Sequence, residues 1–187
     1  MRKLAAYIGI SLDGFYEGPD REFDFFVVDD EFNEFSVEQL DGAGALVFGR
    51  VTYTGMAEYW PSAQARQGNS AVAMRMNAMP KVVVSSTLRD ASWTGSTLLQ
   101  GDVEGGMKAL KSEPGRELLV LGSPQLTASL ANLGLLDELR IMVNPVALGQ
   151  GKSLFTSMRE RLNLRLLNVK PFRSGNVLLT YGLAESE

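Results

Sequence analysis

The chain has 187 residues, of which 45% are hydrophobic and 21% charged, and it carries a net charge of −4. These totals suit one globular domain with a substantial core, residues 1–187, and they give no basic face for nucleic acid. Cys and His are both absent, which excludes disulfides, thiolate or imidazole metal sites, Cys nucleophiles and Ser-His-Asp triads.

Proton transfer in such a chain falls to Asp, Glu, Lys, Tyr or water. Hydride transfer from a nicotinamide suits it, because the cofactor carries the reactive chemistry and the protein orients it. No apolar run reaches the ~18 residues of a membrane span. Met1-Arg2-Lys3-Leu4 has the charges of a signal peptide, but the apolar segment behind it is broken at Gly9, Ser11 and Asp13 and has no small-residue cleavage site. The expectation is a cytoplasmic protein without membrane contact.

In chain order, Leu4 to Ser11 reads as a strand ended by the turn pair Asp13-Gly14. Phe15 to Phe26 mixes Gly, Pro, charges and aromatics, as a loop crossing a concave surface does. Asp29 to Leu40 carries Phe32, Phe35 and Leu40 on one helical face, with acids in the first turn that suit the helix dipole. Ala45 to Phe48 is a buried strand leading into Gly49-Arg50-Val51-Thr52-Tyr53 at a strand-to-helix corner, and Trp60-Pro61 ends that helix. Ala71 to Met79 is a short helix and Val82 to Val84 a third strand, opening into Ser85-Ser86-Thr87. Lys81 and Arg89 read as solvated, and Arg89 is close enough to the serines to meet a ribose 2′-phosphate. Thr97 to Leu99 reads as a fourth strand and Val103 to Lys111 as a helix.

The most informative stretch is Glu117 to Phe155. Leu118 to Leu121 is a buried strand, Gly122 breaks it, and Ser123-Pro124 starts a helix, with Ser123 read as its cap. Leu126, Leu130 and Leu133 keep helical spacing until Gly134, and Leu139, Ile141 and Val143 alternate as a strand. In such a strand–helix–strand unit the Gly-Ser corner lies at the sheet edge where open α/β folds bind ligands, and a helix N-terminus there favours phosphate. Leu162 to Val169 and Asn176 to Tyr181 close the chain as an antiparallel hairpin. The pattern predicts an α/β fold: a mostly parallel twisted sheet with helices on both faces and an antiparallel edge.

Three strand ends share small or hydroxyl residues: Gly49-Arg50-x-Thr52, Ser85-Ser86-Thr87 and Gly122-Ser123. Singly these are helix caps more often than ligands. Together they can surround an extended phosphate-bearing ligand, with Arg50 supplying charge-assisted hydrogen bonds. Gly151-Lys152-Ser153 imitates the tail of a P-loop, but the glycine needed five residues earlier is Val146. Gly42-x-Gly44 precedes its strand, so it is no dinucleotide fingerprint. Asp13 is a turn residue or a polar substrate contact.

Tyr7 to Gly14, Leu46 to Tyr53, Val82 to Ser86, and the block from Gly134-Leu135-Leu136-Asp137-Glu138-Leu139 through Pro145-Val146-x-x-Gly149-x-Gly151-x-x-Leu154-Phe155 occur in that order. With them the chain resembles the dihydrofolate reductase-like superfamily. It is most similar there to the C-terminal reductase domain of the bifunctional riboflavin-biosynthesis deaminase–reductase and its stand-alone bacterial relatives. The resemblance covers nearly the whole chain. It implies a three-layer fold with an eight-stranded sheet, a homodimer, and NADPH laid across the strand ends. It places Gly49, Arg50 and Thr52 at the cofactor phosphates, Ser85, Ser86 and Thr87 near the adenosine ribose, and Gly122 and Ser123 at the pyrophosphate. Asp13 and the Gly149–Gly151 loop would border nicotinamide and substrate.

The chain departs from that pattern at Ser123, where the family often has a second Gly. Folate reductases carry an acid on the first helix, and here Asp29, Asp30, Glu31 and Glu34 all crowd that region. The deaminase half needs a zinc site of His and Cys, so the chain can supply the reductase half alone. The implied activity is an NADPH-dependent reduction of a small heterocycle, like that of 5-amino-6-(5-phosphoribosylamino)uracil reductase. Folate reduction and non-catalytic pyridine-nucleotide binding are the alternatives.

Overall fold

The computed structural model of the protein describes residues 1–22 and 24–183. Phe23, inside the expected loop, and residues 184–187 lie outside the described residues. The chain order is β1 (Leu4–Ser11), β2 (Phe15–Glu17), α1 (Asp30–Gly42), β3 (Ala43–Gly49), α2 (Arg50–Tyr59), α3 (Ala63–Gly68), α4 (Ser70–Ala78) and β4 (Lys81–Val84). It continues with β5 (Ser96–Leu99), α5 (Val103–Ser112), β6 (Glu117–Leu121), α6 (Pro124–Asn132), β7 (Glu138–Asn144), β8 (Lys152–Ser153), β9 (Leu164–Pro171) and β10 (Val177–Leu183).

Eight of these strands form one sheet in the order β5-β4-β3-β6-β1-β7-β10-β9. The first six run parallel, and β10 and β9 close the sheet antiparallel. The eight-stranded, mostly parallel sheet with its terminal hairpin is therefore present as the sequence suggests. β1 lies at its centre, in register with β6 from Leu4↔Leu118 to Tyr7↔Leu121 and with β7 through Ser11↔Asn144.

The period-2 geometry of a strand sends alternate side chains to opposite faces. On β1, Leu4, Ala6, Ile8 and Ile10 face a core completed by Met107 of α5 and Leu126 and Leu130 of α6. Ala5 faces the other way, into a core with Leu40 of α1, Tyr53 of α2 and Val72 and Met76 of α4. A third cluster packs Phe35 of α1 against Met142, Phe172 and Leu178 over the β7–β10 end. The result is three layers, helix–sheet–helix. Because both faces are covered, the parallel strands read as nearly continuous apolar runs.

Several local expectations need correction. Asp29 is the N-cap of α1, its Oδ1 accepting the Phe32 N–H at 2.8 Å, and the helix runs on to Gly42. A further short helix, α3, stands between Pro61 and Asn69 with Ser62 as its cap. The region after Asp13 is not all loop, because β2 forms a small antiparallel ribbon with β8.

Lys81 is not solvated: it is 1% exposed. Its ammonium donates to the carbonyls of Met79, Thr94 and Asn77 at 2.7, 3.0 and 3.3 Å and lies 4.3 Å from the Trp93 ring centroid. Burial pushes its pKa down to about 8. That leaves an ammonium at neutral pH, with its three donors used on carbonyls of α4, of the corner after it and of the β4–β5 connection.

Candidate active site

Because six strands are parallel, their C-terminal ends share one edge, and the chain leaves that edge at Ser11, Gly49, Val84, Leu99, Leu121 and Asn144. β3 and β6 are neighbours, so the helices that follow them, α2 and α6, start side by side. Their N-termini differ from those of the other helices among the described residues. Asp29, Ser62, Asn69 and Asp102 each accept a backbone N–H of the helix they precede, at α1, α3, α4 and α5. α2 and α6 have no side-chain cap. Two uncapped helix starts at one sheet edge concentrate free amides and the positive ends of two dipoles.

Ser123 is not the cap that the sequence suggests. Its Oγ accepts the Gly49 N–H at 2.9 Å, and its own N–H donates to Thr52 Oγ1 at 3.1 Å. The residue is 5% exposed, with φ at +51° after Gly122 at +58°. Two successive left-handed residues make the corner, and Gly122 N–H reaches the Tyr7 carbonyl at 2.8 Å. The hydroxyls of Ser123 and Thr52 thus fasten the two corners to each other and leave the helix amides open. Arg50, the first residue of α2, is exposed at this cradle. No ion-pair partner for its guanidinium occurs among the described residues.

One strand outward, Ser85 accepts the N–H groups of Thr87 and Leu88 at 3.2 and 2.9 Å, so its oxygen shapes a turn after β4. Ser86, Thr87 and Arg89 are exposed around that turn.

On the other side of the cradle, Asp13 fastens the loop after β7. Its carboxylate accepts the Ser11 hydroxyl at 2.7 Å, the Gly149 N–H at 2.7 Å and the Leu148 N–H at 3.0 Å. These donors, the Ser11 hydroxyl foremost, hold its pKa down to about 2. At neutral pH Asp13 is an anion with three donors on it, so the arrangement supplies a tether and not an acid. Gly149 sits at φ +78°. Gly151 is required for another reason: a methyl there would overlap the Glu17 carbonyl of the neighbouring ribbon.

Between this loop and the start of α6 lies a cavity of about 430 Å³, with Phe15 and Tyr16 on one wall and Gln125, Gly151, Lys152 and Ser153 among its other lining. The volume is in the range of small-molecule sites. Lys152 at its rim pairs with Glu17. Sequence reasoning passed over Gln125, at the start of α6, and met Lys152 only in a false P-loop tail; the place of Lys152 depends on the ribbon of β2 and β8.

It also passed over Tyr7, whose hydroxyl is buried without a partner and whose pKa burial pushes well above the usual phenol range. Gly9 gave a usable signal, since glycine inside an apolar strand marks a close approach; the Phe26 ring stands against it.

The strand-end residues Gly49, Arg50, Thr52, Gly122 and Ser123 therefore converge, Asp13 and Gly149 touch, and Gly151 lines the cavity. Ser85, Ser86 and Thr87 stand at the end of the strand next to β3. Among the described residues no group of three or more Asp or Glu is placed to hold a metal ion, and no helix is long and apolar enough to cross a membrane.

Comparison with known proteins agrees with this architecture. The chain is 29% identical over 182 residues to the uncharacterized protein YyaP of Bacillus subtilis, covering 96% of this chain and 94% of that one. A putative riboflavin biosynthesis protein from Shewanella sp. PV-4 superposes with a TM-score of 0.75 at 20% identity, over 98% of this chain and 99% of the other. Dihydrofolate reductase from Enterococcus faecalis, complexed with NADP(H) and RAB-propyl, superposes at 0.64 with 16% identity, over 98% and 97%. At such identities the two superpositions speak for the fold alone. The family assignment comes from the sequence model of the RibD C-terminal domain, which matches residues 2–178. The chain belongs to the RibD C-terminal domain family and has the dihydrofolate reductase-like fold.

Proposed function

We propose that the protein is an NADPH-dependent reductase that delivers a hydride to a small heterocyclic substrate, most like the phosphoribosylamino-uracil of riboflavin biosynthesis. The observation that carries this reading is the pair of uncapped helix starts, α2 and α6, fastened together by Ser123 and flanked by Arg50. Open amides, two dipole ends and a guanidinium are the donor set that a pyrophosphate needs. Membership of a reductase-domain family supports the same cofactor, as does the NADP(H) complex of the Enterococcus enzyme of the same fold.

NADPH when bound supplies the hydride, and the chain's own residues do the rest. The amides of α2 and α6 and the Arg50 side chain hold phosphate. The Ser85–Thr87 turn with Arg89 nearby gives a 2′-phosphate polar and cationic neighbours. Asp13 keeps Leu148 and Gly149 in place in the loop that leads to Gly151 of the cavity lining, while Phe15 and Tyr16 line the cavity. Reduction of an unsaturated carbon–nitrogen or carbon–oxygen bond takes one hydride and one proton. With Asp13 ionised, that proton does not come from its carboxyl group.

Folate reduction has less support. On α1, Asp29 is a cap, Glu31 binds Arg173, Asp30 and Glu34 are exposed, and the buried residues are Phe35, Gln39 and Leu40. No carboxylate of that helix is buried toward a ligand.

The test is titration with NADPH and NADH, followed by NADPH oxidation with 5-amino-6-(5-phosphoribosylamino)uracil and with dihydrofolate. Tighter NADPH binding and turnover of the pyrimidine are expected. Turnover of dihydrofolate alone would shift the assignment to folate. Cofactor binding without oxidation of either compound would make the protein a nucleotide binder, and absence of binding would end the proposal.

A further inference from the structure

The connection between β4 and β5, residues 85–95, starts at the ligand edge of the sheet and returns to the opposite edge at Gly95. Its first part is the turn that Ser85 shapes, with Ser86, Thr87 and Arg89 exposed. Its return leg is held from two sides. Trp93, 5% exposed, donates its backbone N–H to the Tyr53 hydroxyl at 3.0 Å and its Nε1–H to Asn77 Oδ1 at 2.8 Å. Lys81 binds the Thr94 carbonyl and lies against the Trp93 ring. Tyr53 belongs to α2, the helix that Arg50 opens, and its hydroxyl donates on to Ser96 Oγ at 3.2 Å. Lys81, Trp93 and Tyr53 thus join α2, α4 and the connection in one buried unit. Two of its arms carry exposed arginines, Arg50 on the helix and Arg89 on the connection.

The groups that face the Lys81 ammonium are uncharged. They are the Asn77 and Met79 carbonyls from α4 and the corner after it, and the Thr94 carbonyl and Trp93 ring from the connection. Its register partners on β3 and β5 are Leu46 and Ser96, and Tyr53 meets Trp93 from α2. No carboxylate pairs with it among the described residues. We propose that Lys81 is a positioning residue: by locking the return leg of the connection it holds the Ser85–Arg89 turn in the form that receives a 2′-phosphate. The preference for NADPH over NADH then depends on a buried ammonium that does not itself touch the cofactor. This rests on the reductase reading and deepens it, by naming what sets the nucleotide preference from behind the turn.

The chain has no His and no Cys to titrate near neutral pH. Burial brings Lys81 down from 10.5 to about 8, so the lock is charged at pH 7 and neutral at pH 9.5. A neutral amine has two N–H groups for three carbonyls and no charge for the ring. The competent form of the turn then loses population, and apparent affinity falls in proportion. A lock worth one net hydrogen bond makes that fall about three- to tenfold. Folding stability moves the other way. Between pH 8 and 10.5 the unfolded chain holds a proton on Lys81 that the folded chain has lost, so this group makes stability rise with pH.

The test titrates NADPH and NADH, followed by nicotinamide fluorescence, into wild type, Lys81→Met and Lys81→Gln at pH 7 and 9.5, with urea denaturation of each apo protein alongside. Wild type is expected to lose NADPH affinity about three- to tenfold between the two pH values, with NADH affinity changed less than about twofold. Lys81→Met should show the NADPH loss already at pH 7 and no further loss at 9.5. Lys81→Gln, a neutral donor, should fall between them at pH 7. Relative to Lys81→Met, the wild-type apo protein should gain stability from pH 8 to 9.5 while its NADPH affinity drops. Equal losses for NADPH and NADH would make Lys81 merely structural and overturn the positioning role. A wild type whose NADPH affinity is as constant as its NADH affinity overturns it as well, and this series decides the matter if neither variant folds. Failure of wild type to bind NADPH at pH 7, or to prefer it to NADH, removes the cofactor reading itself, a result distinct from a preference that ignores Lys81.

Discussion

The Ser123 hydroxyl accepts the Gly49 N–H at 2.9 Å across 74 positions of sequence, joining the end of β6 to the end of β3. The residue that makes this bond stands at φ +51°, a conformation that costs an L-residue roughly 1–2 kcal/mol. The staple and the strain are thus opposing terms at one position, and two substitutions separate them.

Ser123→Ala removes the acceptor and keeps the strain, which should lower stability by about 1–3 kcal/mol, the range for leaving a buried donor unsatisfied. Ser123→Gly removes the same acceptor but relieves roughly 1–2 kcal/mol of strain, so it should fall close to wild type. Urea denaturation with unchanged slope measures both. Equal losses in the two variants would show that the left-handed backbone costs nothing here.

The Asp13 tether carries a pH dependence of definite sign. Its folded pKa is depressed from the usual 3.8 to about 2 by the Ser11 hydroxyl, then the Gly149 and Leu148 amides. The contribution of the tether is therefore fully present above pH 3.8 and is lost as pH falls through about 2. Carboxyl-carbon NMR should place the Asp13 midpoint near 2, and in Asp13→Asn the Leu148 and Gly149 amides should exchange faster with solvent. A midpoint at the ordinary carboxylate value would mean that the amides do not bind the anion in solution.

What the sequence made legible follows the range of the interactions involved. β1 is recognisable from Leu4 to Ser11 because its limits come from local patterning, and the antiparallel β9–β10 end is legible from the same signals. The site corners were visible as small and hydroxyl residues at strand ends. The role of Ser123 was not, because local sequence makes it a helix cap and only the approach of Gly49 and Thr52 draws its hydroxyl and amide away. Lys81 looked solvated for a similar reason: its acceptors include Thr94, thirteen positions on, and its ring partner Trp93 arrives with the β4–β5 connection. The short ribbon of β2 and β8 gives too few residues for a period to show, so the cavity wall that it builds stayed hidden.

Homodimerisation is a proposal with a visible candidate surface. β9 is the last strand of the sheet, with one edge unpaired among the described residues. It exposes Leu166, Leu167 and Val169 at 52, 45 and 46%. An open apolar edge is the usual template for pairing with another chain. Light scattering at micromolar concentration should give the dimer mass, and replacing Leu166 and Val169 together with Lys should give the monomer mass with the sheet intact by circular dichroism. A wild-type monomer would remove the proposal.

Arg50 is the side chain on which the cofactor reading can be tested most directly. It follows Gly49 at the sheet edge, opens the uncapped helix α2, and stands exposed. A structural arginine in this protein looks different: Arg140 forks onto Glu117 at 2.8 and 2.9 Å and also binds Glu138 at 2.7 Å. Arg50 has no such anchor among the described residues, so its removal should leave the apo protein nearly unchanged, within about 0.5 kcal/mol as for other unanchored surface positions. Hydrogen bonds to charged groups contribute roughly 1.5–3 kcal/mol, so Arg50→Ala should weaken NADPH binding by about 10- to 150-fold. Arg50→Lys should recover part of that loss, since an ammonium keeps the charge but not the planar fork. Calorimetric titration with NADPH and the apo melting temperature, measured on the same preparations, check the claim. Lost affinity with an unchanged melting temperature supports phosphate binding at the α2–α6 cradle. Unchanged affinity sinks it, and a large fall in apo stability would make Arg50 a structural residue after all.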